Sequence, residues 1–320
     1  MQELFQQWPT IQRAHELIRQ TRSEKYFAPW DAFTRGWAKV LGVPVDLTVL
    51  CGPNLGAVID TVFEKAPGSE HDALKASIQA ATRLDEARAI LRQQPLTLLD
   101  ALKNHIAYAT LSGYERLSGT PALADLWLEA WARAVQLHAA HQMDHEAATH
   151  QDDHVPETRA TFEQAVELYV GRFTHTDAFS TTMIAVFPFL SFASEPALQE
   201  FVELSERIAR YMRLIADVVY NPTERINVGL FTLSLGEGIS LAEAHRRVVE
   251  LHQPAPLELQ RRVSTHALEH EARLKREFAQ VLERHAERPE HAALQGFFQA
   301  ILKVARYQID LGLSGSAHSA

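Results

Sequence analysis

Ser194-Glu-Pro-Ala-Leu-Gln-Glu-Phe-Val-Glu-Leu-Ser-Glu-Arg-Ile-Ala-Arg-Tyr-Met-Arg-Leu-Ile-Ala-Asp-Val-Val-Tyr220 is the stretch on which the fold class turns. Leu198, Phe201, Val202, Leu204, Ile208, Met212 and Ile215 recur at three- and four-residue spacing. That spacing gathers them into one stripe on an α-helix, whereas a strand would split them between its two faces. The opening Ser194-Glu195-Pro196 supplies an N-cap hydroxyl, an acid and a first-turn proline. The same period predicts helices over Trp30–Leu41, Glu70–Gln93, Leu96–Leu117, Pro121–His150 and Thr161–Phe173. It continues over Leu241–Leu251, Pro256–His285 and Ala292–Leu311. Ser240-Leu241-Ala242-Glu243 reads as a capping box, and Gly236 and Gly238 end the segment before it. Sustained alternation is nearly absent; only Val43–Leu50 reads strand-like, or equally as a loop. The expectation is an all-α fold of about ten helices.

The rest of the chain fits that class. It has 320 residues, 46% apolar and 22% charged, which is a globular composition with material for a sizeable core. Forty acids against 31 Lys plus Arg leave a net charge of −9, so no basic surface argues for nucleic acid. A single cysteine, Cys51, excludes an internal disulfide and multi-Cys metal sites; it reads as a buried small residue in a reducing, cytoplasmic setting. Met1–Arg13 lacks the pattern of a signal peptide, and the longest apolar run, Met183–Phe192, is too short for a bilayer and holds Pro188. Breakers such as Gly52-Pro53, Pro67-Gly68, Val155-Pro156 and Pro254 are scattered, and none forms a linker. One helical domain over 1–313 is expected, with 314–320 as a disordered tail.

Several chemistries have no sequence signal. There is no phosphate-binding glycine loop, no His-Glu-x-x-His, no Gly-x-Ser-x-Gly, and no Glu followed three residues later by His. An all-α enzyme without these builds its site from side chains on facing helices.

Four segments of the C-terminal half carry a resemblance. Tyr169-Val-Gly-Arg172-Phe-Thr174-His175-Thr176 is similar to a "Tyr…Arg-Arg-x-Thr-x-Gly" segment. Downstream, Arg213-Leu-Ile-Ala216-Asp217-Val-Val-Tyr220-Asn-Pro-Thr-Glu224-Arg225 stands where an "Asn-Asp-x-x-Ser-x-x-x-Glu" motif would lie. Gly238-Ile-Ser-Leu-Ala-Glu-Ala-His-Arg-Arg-Val-Val-Glu-Leu-His252 matches a "Gly-hydrophobe-Ser-x-x-x-Ala" helix, and Arg306-Tyr307 a terminal Arg-Tyr pair. In this order the four resemble the bacterial class I terpene synthases. The resemblance implies an α-helical bundle around an apolar cavity that ionises a prenyl diphosphate, such as farnesyl diphosphate, and cyclises the carbocation. It implies Arg172, Arg306 and Tyr307 as diphosphate contacts, with Tyr220 added to the catalytic candidates. It also implies Mg²⁺ held by Asp217, Glu224 and, on an upstream helix, Asp85. The partner is a small isoprenoid, with no nucleic acid and no membrane, and a homodimer is possible by the same resemblance.

The chain departs from the motifs at the metal positions. Ala216 and Tyr220 replace the Asn and Ser ligands. Glu224 reads equally as N3 of a helix beginning Asn221-Pro222, since Pro222 inside a continuous helix would cost about 3 kcal/mol. No DDxxD occurs; Leu84-Asp85-Glu86-Ala87-Arg88 is the positional candidate, and reads also as a solvated face with Arg88 pairing Asp85. Asp152-Asp153 reads as a solvated loop or cap. These departures leave an alternative: a relative that binds an isoprenoid or apolar ligand without turnover, or performs metal-independent chemistry on a terpenoid. His138, His141 and His145 read as a solvated histidine-rich face, with zinc binding by His141 and His145 as the alternative. Trp127, Trp131, Phe187, Phe189 and Phe192 read as core, or as cavity lining if the family holds.

Overall fold

In a computed structural model of the chain, the residues described are 8–21, 24–46, 50, 53–150, 153–176, 179–216, 226–249, 255–284, 286–287 and 290–314. They form fourteen α-helices and no strand. In chain order these are α1 (Pro9–Arg19), α2 (Glu24–Leu41), α3 (Pro53–Lys65), α4 (His71–Ala80), α5 (Leu84–Leu91), α6 (Leu98–Arg116) and α7 (Pro121–His150). There follow α8 (Phe162–Phe173), α9 (Phe179–Val186), α10 (Glu195–Ala216), α11 (Val228–Glu237), α12 (Leu241–Val249), α13 (Ala255–Arg284) and α14 (Glu290–Ser314). None of the helices described is long and apolar enough to cross a membrane.

The chain divides into two compact units: residues 1–143, 175–209 and 287–297 form unit 1, and 144–174, 210–286 and 298–320 form unit 2. Neither is one continuous stretch, so no Pro/Gly-rich linker marks the passage between them.

Unit 1 is organised on α6. Thr97 starts this helix: its Oγ1 accepts from Asp100 N at 3.1 Å, and Asp100 Oδ2 accepts from Thr97 N at 3.0 Å. The helix is buried on most sides, through Leu102, His105, Ile106, Ala109, Thr110 and Gly113 among others. It therefore lacks a single apolar stripe. Helices α1, α3, α4, α5 and α9 all pack on it. Trp127 and Trp131 of α7 are fully buried, parallel, and 6.4 Å apart, and so belong to the core. Their indole N–H groups donate to Ile184 O at 2.8 Å and Thr110 Oγ1 at 2.9 Å, which removes the cost of burying them.

A Cβ on Gly113 would lie 2.2 Å from Cη2 of the buried Trp127 ring. Gly113→Ala is expected to destabilise the protein by about 1–3 kcal/mol in urea unfolding, although alanine is the better helix former by about 1 kcal/mol. Combining it with Trp127→Phe is expected to recover part of that loss, because the shorter ring vacates the clash.

Unit 2 is built around α11, which packs on α8, α12 and α13. Asn227 Oδ1 caps it by accepting from Leu230 N at 2.9 Å. Gly238 ends it in the left-handed region, φ 67°, with its N–H on Ser234 O. Ser240 Oγ then accepts from Glu243 N at 3.1 Å to start α12. Leu230, Ala244 and Val248 form the core between α11 and α12, with Leu233, Ile239 and Leu241 packed against it.

The predicted helix over Glu70–Gln93 is two helices, α4 and α5, separated at Ala81-Thr82-Arg83, where Thr82 Oγ1 donates back to Gln79 O at 2.7 Å. Helices α1, α3, α9 and α11 have no counterpart among the predicted ones. In the strand-like stretch Val43–Leu50, Val45, Asp46 and Leu50 are helical, and 47–49 lie outside the described residues.

Candidate functional site

Arg172 stands on α8, which Thr161 starts through a capping box with Gln164. Ala165, Val166, Tyr169, Val170 and Phe173 form the buried face of α8, and Glu167 and Arg172 are exposed outside it. The Arg172 side chain is 41% exposed, and its Nε and Nη2 donate to Asp144 Oδ2 and Oδ1 at 2.5 and 2.7 Å. This bidentate pair raises the guanidinium pKa further, mainly through the hydrogen bond to Asp144. Asp144 was not among the residues that the sequence singled out. The Arg172 Cζ also lies 5.2 Å from the centre of the Phe173 ring.

A second guanidinium reaches the same aromatic group. Arg213 Nη2 donates to Tyr169 Oη at 2.8 Å, with its Cζ 5.4 Å from the ring centre. Tyr169, Phe173 and Phe231 meet with ring centres 5.0, 5.5 and 6.3 Å apart. Two cations thus lie against the faces of one aromatic cluster, an arrangement each ring quadrupole favours.

The other candidates are placed as follows. Arg306 lies on the exposed side of α14, and its charge acts on Tyr211. Tyr211 donates to Glu271 Oε2 at 3.2 Å, and Glu271 Oε1 accepts from Lys275 Nζ at 2.5 Å. Burial, and then the Glu271 charge, push the Tyr211 phenol pKa up, so it stays protonated. Tyr307 lies beside Arg306 in α14, and its side chain is outside the described residues. Asp217, Tyr220 and Glu224 also lie outside them.

Asp85 is fully exposed on α5, where Arg88 Nη1 donates to it at 3.2 Å. That is the arrangement of a solvated helix face. Among the described residues, the His, Cys, Asp and Glu side chains close enough to share a cation are Glu167, His266 and His270, which do not include Asp85. Asp85 as placed therefore does not fit a magnesium site.

Unit 1 holds a different polar group. His138 is fully buried and His141 half-buried, so the histidine-rich part of α7 is not the solvated face that its composition suggests. His175, 4% exposed, joins them: its backbone N–H points to His141 Nδ1 at 3.5 Å, and the two rings meet edge to face at 4.8 Å. His175 Nδ1 is 2.7 Å from Ser180 Oγ, and its Nε2 is 3.4 Å from Glu206 Oε2. Hydrogen bonding from His175, with the charges of His175, Arg133 and His141, holds the Glu206 carboxyl below its usual range.

Ser180 and Glu206 line a cleft of about 190 Å³ with Arg133, Leu137, Ile184 and Val202. Small-molecule pockets run to about 300–1,000 Å³, so this cleft suits a small ligand and does not enclose a prenyl chain. No protein-family model, curated protein or solved structure matches the chain.

Proposed function

We propose that the chain binds an isoprenoid diphosphate through Arg172 and ionises it in the manner of a class I terpene synthase. The observation that carries this reading is the pair of guanidiniums, Arg172 and Arg213, set against the Tyr169–Phe173–Phe231 cluster. Such a substrate joins a multiply charged anion to an apolar chain, and a guanidinium fork matches phosphate oxygens as it matches a carboxylate. Asp144 holds the fork in position, and the diphosphate exchanges for it. When the carbon–oxygen bond breaks, its electron pair leaves with the diphosphate, where guanidinium charge stabilises it. The allylic cation left behind is stabilised by aromatic faces better than by water, which would quench it. The sequence resemblance implies magnesium on Asp85, Asp217 and Glu224, but Asp85 does not fit such a site, and the metal is given no part in the reaction.

The test is incubation of purified protein with geranyl, farnesyl and geranylgeranyl diphosphate, with magnesium or chelator. Organic extracts are read by gas chromatography–mass spectrometry, and the aqueous phase is assayed for pyrophosphate. A cyclic product with released pyrophosphate is expected, falling about a hundredfold or more in Arg172→Ala. Asp144→Asn is expected to tighten inorganic pyrophosphate binding severalfold, since it removes the competing carboxylate. No pyrophosphate from any substrate overturns the reading.

A second reading rests on Ser180, His175 and Glu206. A hydroxyl donating to an imidazole whose other nitrogen faces a carboxylate is a proton relay that needs no metal. It supports metal-independent chemistry on a small substrate in the cleft. Turnover that survives chelation and is lost in His175→Gln favours it.

A further inference from the structure

We propose that Glu167, His266 and His270 form a binding site for a divalent transition cation of the zinc class, within unit 2 and independent of the diphosphate reading. His266 and His270 lie one turn apart on α13, so both rings leave the same side of the helix. Glu167 approaches from α8. One donor atom from each lies within 4.8 Å of the other two.

One donor atom is turned toward a missing partner. His266 Nε2 and His270 Nε2 are both shielded from solvent. His270 Nε2 faces Glu167 Oε1 at ion-pair distance, 3.2 Å, so the nitrogen with no facing partner is His266 Nε2. Buried polar atoms are nearly always satisfied, and a cation between the two rings and the carboxylate would satisfy that nitrogen.

The surrounding contacts are those that orient metal ligands. Glu167 turns Oε1 toward His270, and its Oε2 accepts from Arg210 Nη2 at 2.8 Å. The other nitrogen of His266, Nδ1, faces Glu269 Oε2 at 3.9 Å, which leaves Nε2 as the donor to metal. Phe162 packs edge-on against His266 with ring centres 5.9 Å apart, closing one wall with apolar surface.

Two imidazoles and one carboxylate select zinc, cobalt or nickel over magnesium or calcium, which take oxygen ligands. Three protein ligands leave a fourth position for water or an anion. Metal–nitrogen bonds of about 2.0–2.1 Å require the three donors to draw together by about 1 Å, within reach of side-chain rotation. The nearby charges of Arg210 and Arg273 oppose a cation, so micromolar affinity is expected rather than the tighter binding of a buried structural site.

The test uses the full chain, stripped with chelator, titrated with Zn²⁺ by calorimetry and with Co²⁺ by visible absorption. One equivalent of Co²⁺ is expected to give the d–d bands of a tetrahedral nitrogen–oxygen site, bleached by Zn²⁺. His266→Gln, His270→Gln and Glu167→Gln are expected to weaken binding at least tenfold, with His291→Ala unchanged. Circular dichroism identifies which variants are folded, and any one of the three suffices for the comparison. Absence of binding overturns the proposal, as does equal affinity in wild type and every folded variant of the three.

Discussion

Trp131→Ala is expected to lower the unfolding free energy by about 3–5 kcal/mol, read from the shift of the urea transition followed by circular dichroism. The residue is fully buried, and its ring lies parallel to Trp127 at 6.4 Å. Truncation removes one of the two large indole surfaces that α7 buries there. It also takes away the donor to Thr110 Oγ1, 2.9 Å away. The hydroxyl is not left without a bond, because it donates to Ile106 O at 2.8 Å, so the loss is chiefly one of packing. Trp131→Phe separates the two contributions: it keeps an aromatic ring and removes the N–H, and is expected to cost about 1–2 kcal/mol. Equal losses in the two variants would mean that the hydrogen bond, not the packing, carries the effect.

The pair Trp127 and Trp131 also shows what the sequence can and cannot say. Their helix was legible to both ends, because Pro121 marks its start and apolar residues recur along its length. Helix α9 was not, for the opposite reason. All eight residues of α9 are buried, and an element covered on every side has no period to read. Helix α3 was hidden by its own cap, since Gly52-Pro53 reads as a breaker and Pro53 is the first residue of the helix.

The polar groups follow the same rule. Arg172 could be singled out, but its partner Asp144 could not, because their pairing is made by the packing of two helices. His175 was visible only as one residue of a segment that resembles a family motif, whereas the structure makes it the centre of a chain from Ser180 to Glu206. Glu167, His266 and His270 show the same limit. The i, i+4 histidines are written in the sequence, and the carboxylate that faces them comes from α8.

Acid is expected to destabilise the protein well above the range in which carboxylates titrate, because of His105 and His138. Both are fully buried. Burial, and then the charge of His15, push His105 down to about 3; burial, and then His175 and His141, push His138 down to about 3. The geometry explains why neither accepts a proton. His105 Nδ1 is 3.2 Å from Leu50 O, which places its one hydrogen there, and its Nε2 has no hydrogen-bond partner. His138 Nδ1 is 3.4 Å from Thr181 Oγ1, and its Nε2 likewise has none. A second proton on either ring would be a charge with nothing to receive it.

Since the folded pKa lies below the unfolded value near 6.5, the neutral rings stabilise the fold fully above pH 6.5. That stability drains as pH falls toward 3, by about 1.4 kcal/mol per pH unit for each histidine. Together they withdraw about 4 kcal/mol by pH 5, a large share of the roughly 5–15 kcal/mol that holds a folded protein together. Glu206, whose carboxyl is held low, adds its loss only at lower pH. Urea transitions recorded from pH 8 to 5 are therefore expected to fall steeply with pH. His138→Gln is expected to lower stability at pH 8 and to flatten the slope below 6.5, because glutamine cannot titrate while His105, His15 and His270, all held low by burial, still do. A slope that is the same in wild type and in the His105→Gln/His138→Gln double variant would move the acid sensitivity to other groups.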